Sequence, residues 1–179
     1  WELIVVNKWN TIPDGYQTEL TTLSNGKQVD SRIYPALQDL FDAMRADGIY
    51  PIVREGYRTT TDQQSILDDK IKAYEQEGLS SLLAKKMASE WVAAPGTSEH
   101  QLGIAVDINA DKTKSTNDEV YTWLAEHAWE YGFILRYPKD KENVTGTGYE
   151  PWHYRYVGKE AAKEIWQEGC CLEEYVTQN

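Results

Sequence analysis

The sequence has few cysteines, no long apolar run and no excess of positive charge, and each absence excludes a class of protein. Its only two cysteines among 179 residues, Cys170 and Cys171, are adjacent. Adjacent cysteines rarely bridge each other without strain, and no C-x-x-C spacing is present for a metal or a redox pair. We expect two free thiols at the end of a helix, which do not identify a cellular compartment.

The other two absences concern membranes and nucleic acids. No stretch approaches the ~20 apolar residues that a membrane-spanning helix requires. The 18 Lys and Arg against 29 Asp and Glu give a formal charge of −11, so the basic surface expected for nucleic-acid binding is missing. The chain begins at Trp1 rather than Met. We interpret it as a mature or trimmed chain, from which a leader or anchor could have been removed.

The residues that are present describe a globular domain. Hydrophobic residues make up 41% of the chain and aromatic residues 12%, mostly Tyr and Trp with only two Phe. This composition is typical of globular rather than disordered proteins. Because no repeat, low-complexity segment or linker divides the chain, we predict one domain over residues 1–179, with an N-terminal arm at 1–34 and a core at 35–168.

Apolar spacing and turn-forming residues predict the elements of this domain. Helices are predicted at 35–48, at 61–91 with a break near Gly78, at 118–131 and at 159–168. Strands are predicted at 49–53, 102–108, 133–137 and 153–157, with a hairpin at Asn25-Gly26 and a loop at 139–149. This order favours an α+β class, in which a small antiparallel sheet packs against several helices.

Two of the three histidines lie in unusual surroundings. His100 opens the strand that carries Asp107, and His153 follows Glu150 at the start of another strand, whereas His127 lies in a helix and is most simply structural. A catalytic zinc commonly takes three N or O ligands and keeps one position open for water. A carboxylate near that water, but not bound to the metal, moves its proton. Two histidines, one aspartate and one glutamate satisfy this count.

A shared metal site requires a bend in each of the two segments. Strict alternation would separate the first histidine from Asp107, so the chain must bend around Gln101 or Leu102. In the second segment, a polyproline-like turn at Pro151 would bring the glutamate and the histidine to one side. Taken alone, each residue has a simpler interpretation: hydrogen-bonded histidines, an aspartate that caps a turn or pairs with Arg or Lys, and a solvated glutamate. The residues therefore indicate a metal site and no substrate.

Three segments of the chain resemble the signatures of a known family. The segment Ser98–Asp107, SEHQLGIAVD, resembles the S-x-H-x-x-G-x-A-x-D signature of the VanY-type D-alanyl-D-alanine carboxypeptidases. These zinc metallopeptidases are related to the D,D-dipeptidases of vancomycin resistance and to the hedgehog fold. Glu150–His153, EPWH, is similar to the family's E-x-W-H signature. Residues 55–59, EGYRT, with Gln63 resemble its S-G-Y-R-S segment and following glutamine, with Glu and Thr in place of the two serines.

The resemblance implies a role for each matching residue. His100, Asp107 and His153 would bind Zn²⁺, and Glu150 would act as general base and then as general acid. The guanidinium of Arg58 would stabilise the oxyanion or hold a substrate carboxylate. Three further residues would contact the substrate or wall its site: Ser98, Gln63 and Tyr154.

The resemblance also implies a substrate and a location. The expected enzyme removes the C-terminal D-alanine from peptidoglycan stem peptides on the extracytoplasmic side of the membrane, with residues 35–168 as its catalytic core. An L,D-carboxypeptidase, a D,D-dipeptidase or a wall endopeptidase would share these residues, because the loops around the zinc decide which peptide fits. A zinc-stabilised binding module without turnover is a further alternative. That module predicts a missing base or ligand, and all four residues are present.

Overall fold

The structure, a computed structural model, describes residues 1–178 and contains two antiparallel sheets. The smaller sheet is a hairpin of β1 (Leu20–Thr22) and β2 (Gln28–Asp30). The larger sheet is formed by β3 (Pro51–Glu55), β4 (Ala105–Ala110), β5 (Phe133–Leu135) and β6 (His153–Tyr156). Its strands lie in the order β3–β4–β6–β5, so the two central strands are β4 and β6.

Seven α-helices accompany the sheets within residues 1–178. They are α1 (Tyr34–Ala46), α2 (Thr60–Gln76), α3 (Ser81–Ser89), α4 (Asn117–His127), α5 (Glu142–Thr145), α6 (Lys159–Glu168) and α7 (Leu172–Gln178). Two 3-10 turns lie at Glu99–Leu102 and Ala128–Tyr131. The protein has a mixed α+β fold, as the sequence predicts.

The core lies between α1 and one face of the larger sheet. Leu37, Leu40 and Met44 recur at three- and four-residue steps along α1, and all three are fully buried. They belong to the same apolar cluster as Val106 and Ile108 of β4. Since successive strand residues point to opposite faces, the residue between these two faces away from the core. That residue is Asp107.

The helical region predicted at 61–91 is divided as expected. The helical conformation is interrupted at Gly78, whose φ of +96° is left-handed. A capping box begins α2: the Thr59 side chain accepts from the backbone N–H of Asp62, and the Asp62 carboxylate accepts from the N–H of Thr59. The cap therefore lies two residues before the predicted start.

Other elements also differ from the prediction. The strand predicted at 102–108 begins only at Ala105, because the residues before it form a 3-10 turn. The predicted loop at 139–149 contains α5, and α7 follows the last predicted helix. The hairpin at Asn25-Gly26 and the helix at 159–168 are confirmed.

Both ends of the described chain pack on the body of the protein. Val6, Val29 and Ile33, within the predicted N-terminal arm, are fully buried in the main core cluster. At the other end, Leu172 of α7 is buried against α6. Cys170 and Cys171 are free thiols, as expected. None of the helices described over residues 1–178 is both long and apolar enough to span a bilayer.

Candidate active site

The 3-10 turn at Glu99–Leu102 supplies the bend that the sequence requires before β4. It ends at Gly103, whose φ is +76°, and a Cβ at that position would lie 3.1 Å from the backbone nitrogen of Asp30. The turn directs His100 onto the sheet, where Nδ1 is 2.8 Å from the carbonyl oxygen of Gly56. The Nε2 atom of His100 lies 3.4 Å from Oδ1 of Asp107. The two side chains therefore share one face.

Strand register brings the second histidine to the same place. In the antiparallel pairing of β4 with β6, Asp107 lies directly opposite His153, and cross-strand neighbours have adjacent side chains. The Nδ1 atom of His153 is 3.0 Å from Oδ1 of Asp107. One ligand atom from each of His100, Asp107 and His153 lies within 4.8 Å of the others.

The spacing and the donor types fit one metal ion. Ligand atoms at ~2.0–2.2 Å from a tetrahedral ion lie roughly 3.3 Å apart. The Oδ1 atom of Asp107 is 3.4 Å from Nε2 of His100 and 3.0 Å from Nδ1 of His153. Two imidazoles and one carboxylate also form an open, three-ligand set of the kind found at catalytic zinc. The His–Asp–His group is positioned to bind a metal ion.

Burial and mutual contacts set the charges of this group. Burial lowers the pKa of His100, which favours the neutral imidazole. Burial alone would also lower the pKa of His153, but its close contacts with the carboxylates of Asp107 and Glu99 raise it to about 9. Burial opposes ionisation of Asp107, yet its contacts with the two histidines hold the pKa of this carboxyl well below its usual range. A negative charge therefore lies between the two rings, where a cation is favoured.

Glu150 lies at the edge of the same group. A hydrogen bond of 3.2 Å from the backbone N–H of His153 to the carbonyl oxygen of Glu150 closes a turn, which brings both side chains to one side. The predicted polyproline-like turn at Pro151 is therefore wrong in type, although its consequence holds. The Oε2 atom of Glu150 is 3.8 Å from Nδ1 of His153. Burial raises the pKa of Glu150 to about 7, so this carboxyl can exchange a proton near neutral pH.

Arg58 adds a positive charge beside Asp107. Its Nη2 atom is 3.9 Å from Oδ2 of Asp107, and its Nε atom is 3.6 Å from a carboxylate oxygen of Glu55. Its Nη1 donates to Oε1 of Gln63 at 3.3 Å, while Nε2 of Gln63 donates to the carbonyl oxygen of Ala93 at 2.7 Å. Gln63 and Glu55 thus orient the guanidinium, and direct contact between Gln63 and a substrate stays a prediction.

One cavity connects these side chains. Its lining includes most of the residues that the sequence singles out: Arg58, Gln63, Ser98, His100, Asp107, Glu150 and His153. His127 lies elsewhere, on α4 beside Glu130. The cavity is therefore built around the His–Asp–His group, with Glu150 and Arg58 in its wall.

Comparison with known proteins agrees with this geometry. The family profile described as VanY: D-alanyl-D-alanine carboxypeptidase matches residues 26–159. This chain belongs to the VanY family. A VanY relative, the D-alanyl-D-alanine carboxypeptidase of Enterococcus faecalis, is 60% identical over 98% of this chain and 66% of its own length. The chain thus spans about two thirds of the length of that protein.

Two solved VanY structures, each 60% identical in sequence, superpose closely, with a TM-score of 0.96. One is a mutant of a vancomycin resistance D,D-pentapeptidase VanY in complex with Zn(II), and the match covers 98% of this chain and 99% of that one. The other is VanYB in complex with D-alanine-D-alanine, with 99% and 98% covered. The resemblance inferred from the three motifs is therefore confirmed.

One predicted site residue of this VanY-family chain does not lie at the site. Tyr154 follows His153 on β6, so it points to the opposite face of the sheet. Its ring is buried in the main core cluster with Phe133 and Val106. The prediction that Tyr154 contacts the substrate is wrong. Tyr137 lines the cavity instead, with its ring centroid 4.8 Å from that of His153.

The burial of Tyr154 in the core leads to a testable prediction. Tyr154→Phe is expected to leave peptide hydrolysis unchanged, because Tyr154 is buried in the core and does not line the cavity. Tyr154→Ala should lower the free energy of unfolding by about 3–5 kcal/mol, as deletion of a buried aromatic ring does. Chemical denaturation and steady-state kinetics measure the two effects separately. A large loss of kcat/KM in a well-folded Tyr154→Phe variant would show that Tyr154 contributes to the site.

Gly56 supports the site through its backbone, and we predict the effect of replacing it. Its carbonyl oxygen accepts from His100, and a Cβ on Gly56 would clash with the backbone carbonyl oxygen of Gln28. Gly56→Ala is therefore expected to lower the free energy of unfolding by about 1–3 kcal/mol, and to weaken metal binding by displacing His100. The matched control is Gly148→Ala, whose Cβ would meet only the ring of Trp91, at 3.8 Å. Equal stability of the two variants would contradict this account.

Proposed function

We propose that this chain is a zinc-dependent D,D-carboxypeptidase that removes the C-terminal D-alanine from peptidoglycan stem peptides. The observation that carries the proposal is Glu150, a largely buried carboxyl group beside a His–Asp–His group in one cavity. The substrate class is supported by 60% identity to a D-alanyl-D-alanine carboxypeptidase. Because such peptides belong to the cell wall, the proposed place of action is extracytoplasmic.

Three residues would hold the ion. His100 would use Nε2, since its Nδ1 is engaged by the Gly56 carbonyl, while His153 would use Nδ1 and Asp107 its Oδ1. Bound zinc supplies a Lewis acid that polarises the scissile carbonyl and lowers the pKa of water toward ~7. The protein contributes the buried, fixed positions of these three donors.

Glu150 would move the proton. Its carboxylate takes a proton from the attacking water and later delivers it to the amine of the departing D-alanine. A pKa raised to about 7 by burial suits both steps, because the group must accept and release a proton in one turnover. Its side chain is only 12% exposed, so bulk water competes little for the proton.

Arg58 and Ser98 would bind the charged and polar groups of the substrate. Arg58, held by Glu55 and Gln63, presents a guanidinium in the cavity wall. It can stabilise the negative charge that develops on the carbonyl oxygen, or hold the terminal carboxylate that every carboxypeptidase substrate carries. Ser98 lines the same cavity and would hydrogen-bond the peptide backbone.

Product identification tests the proposal. The zinc-loaded protein is incubated with a muropeptide pentapeptide, the corresponding tetrapeptide and free D-Ala-D-Ala, and the products are identified by mass. We expect release of one D-alanine from the pentapeptide. Cleavage of the tetrapeptide alone would indicate an L,D-carboxypeptidase, and cleavage of the dipeptide alone a D,D-dipeptidase. Zinc binding without any cleavage would identify a non-catalytic module.

A further inference from the structure

Two buried polar atoms beside the site face each other without hydrogen-bond partners of their own. They are Oε2 of Glu99 and Nε2 of His153, which lie 3.5 Å apart. The side chain of Glu99 is 0% exposed and that of His153 is 4% exposed. A buried polar atom without a partner is costly, so this pair needs an explanation.

The His153 ring connects two carboxylates. Nδ1 is 3.0 Å from Asp107, on the side of the proposed metal, and Nε2 points away from it toward Glu99. A neutral imidazole carries one N–H and one lone pair. If Nδ1 gives its lone pair to a metal, the proton must be on Nε2, where the oxygen of Glu99 can accept it.

Two buried arginines fix the orientation of the Glu99 carboxylate. Nε of Arg136 and Nη1 of Arg155 both donate to its Oε1 atom at 2.7 Å. Both guanidinium groups are fully buried, so the paired carboxylate stays ionised despite its burial. Because Oε1 takes both arginine contacts, Oε2 remains directed at the histidine ring. Arg155 lies two residues after His153 on β6, and the backbone N–H of Arg136 donates to the carbonyl oxygen of His153 at 3.1 Å.

The network continues to both ends of the described chain. The two terminal nitrogens of Arg136 donate to the carboxylate of Glu173 on α7 at 2.8 and 2.6 Å. Nη2 of Arg155 donates to the carbonyl oxygens of Glu2 and Ile4. The first residues and the last helix therefore fix the arginines that hold Glu99. These far contacts do not touch the histidine, and this allows a matched control.

We propose that Glu99 is a positioning residue, which accepts a hydrogen bond from Nε2–H of His153 and thereby presents Nδ1 to the metal. The inference rests on the proposed function, since it assumes that His153 is a metal ligand. Outer carboxylates that orient ligating histidines typically contribute 10–100-fold to metal affinity. The competing interpretation is a buried ion network that stabilises the fold and has no effect on the metal.

Two variants separate these interpretations. Glu99→Gln removes the carboxylate that faces His153, and Glu173→Gln removes a carboxylate from the same arginine without touching the ring. Zinc affinity is measured by competition with a chromophoric chelator, and Tm by calorimetry on the metal-free proteins. We expect Glu99→Gln to weaken zinc binding by about 10–100-fold. Glu173→Gln should lower Tm while leaving the zinc affinity unchanged. Equal zinc affinity in the two variants would overturn the proposal.

A measurement on the unmodified protein decides the question if Glu99→Gln does not fold. Nitrogen-15 NMR of histidine-labelled, zinc-loaded protein reports which ring nitrogen carries the proton. We expect a slowly exchanging proton on Nε2 of His153 and, in contrast, on Nδ1 of His100. A proton on Nδ1 of His153 would refute the proposal. Neither experiment uses peptide hydrolysis, so a protein that passes both but cleaves no peptide would refute the proposed enzyme activity and leave the role of Glu99 intact.

Discussion

Replacing His153 with alanine is expected to remove zinc and abolish peptide hydrolysis together. Its Nδ1 atom lies 3.0 Å from Asp107, on the side where the three candidate ligand atoms converge. Outer-sphere partners of a ligand already contribute 10–100-fold to affinity, so loss of the ligand itself should weaken zinc binding by more than about 100-fold. Zinc content after dialysis and D-alanine release from a pentapeptide measure the two consequences. His100→Ala should behave in the same way.

The chain offers its own control for this prediction. His127 is a histidine on α4 whose side chain is 42% exposed and pairs with Glu130. His127→Ala should therefore keep full zinc content and full activity. If His153→Ala also kept one zinc per chain, the His–Asp–His group would not be the metal site. Loss of zinc from all three variants would instead indicate that the measurement reports general loosening of the fold.

The His–Asp–His group is predictable from the sequence because both of its histidines lie in segments that resemble family signatures. Asp107 interrupts an aliphatic strand, and the buried strand residues on either side of it make its outward direction predictable. The sequence also predicts that the chain must bend before this strand. It does not predict that the bend is a 3-10 turn, because a turn that ends in a left-handed Gly103 depends on the close approach of Asp30 from the β1–β2 hairpin.

The error at Tyr154 had a signal in the sequence. A strand that points His153 into the site must point the next residue away from it, and the alternation of β6 follows this rule. The sequence does not predict the contact of Tyr137 with His153, because this contact depends on the pairing of β5 with β6, which brings together residues from before and after the 139–149 segment. Sequence spacing carries no information on that contact.

The sequence also does not predict that the two ends of the chain support the site. Glu99, Arg136 and Glu173 are separated by 37 positions at each step, and no local periodicity links them. Their contacts arise from the packing of α7 and the N-terminal residues against the larger sheet. A buried Glu between two motif residues, Ser98 and His100, has no pattern of its own that distinguishes it from a solvated glutamate.

Glu150→Gln is expected to keep zinc and lose hydrolysis. The amide preserves the size of the side chain and its place in the turn before β6, but it cannot accept the proton of the attacking water. General acid–base catalysis typically contributes about 10²–10⁴-fold, so kcat should fall by about that factor while zinc stoichiometry stays at one. Steady-state kinetics with a pentapeptide, together with zinc content measured on the same preparation, test both halves of the prediction.

Glu142→Gln is the matched control for this substitution. Glu142 lies in the same 139–149 segment, on α5, and is exposed to solvent. Its replacement should therefore change neither kcat nor zinc content. A Glu150→Gln variant with normal kcat would show that another group accepts the proton. A variant that lost zinc as well would place Glu150 among the groups that hold the ion, because the carboxylate lies 3.8 Å from the ring nitrogen that would bind it. Only the separation of the two effects supports a base that acts on water without binding the metal.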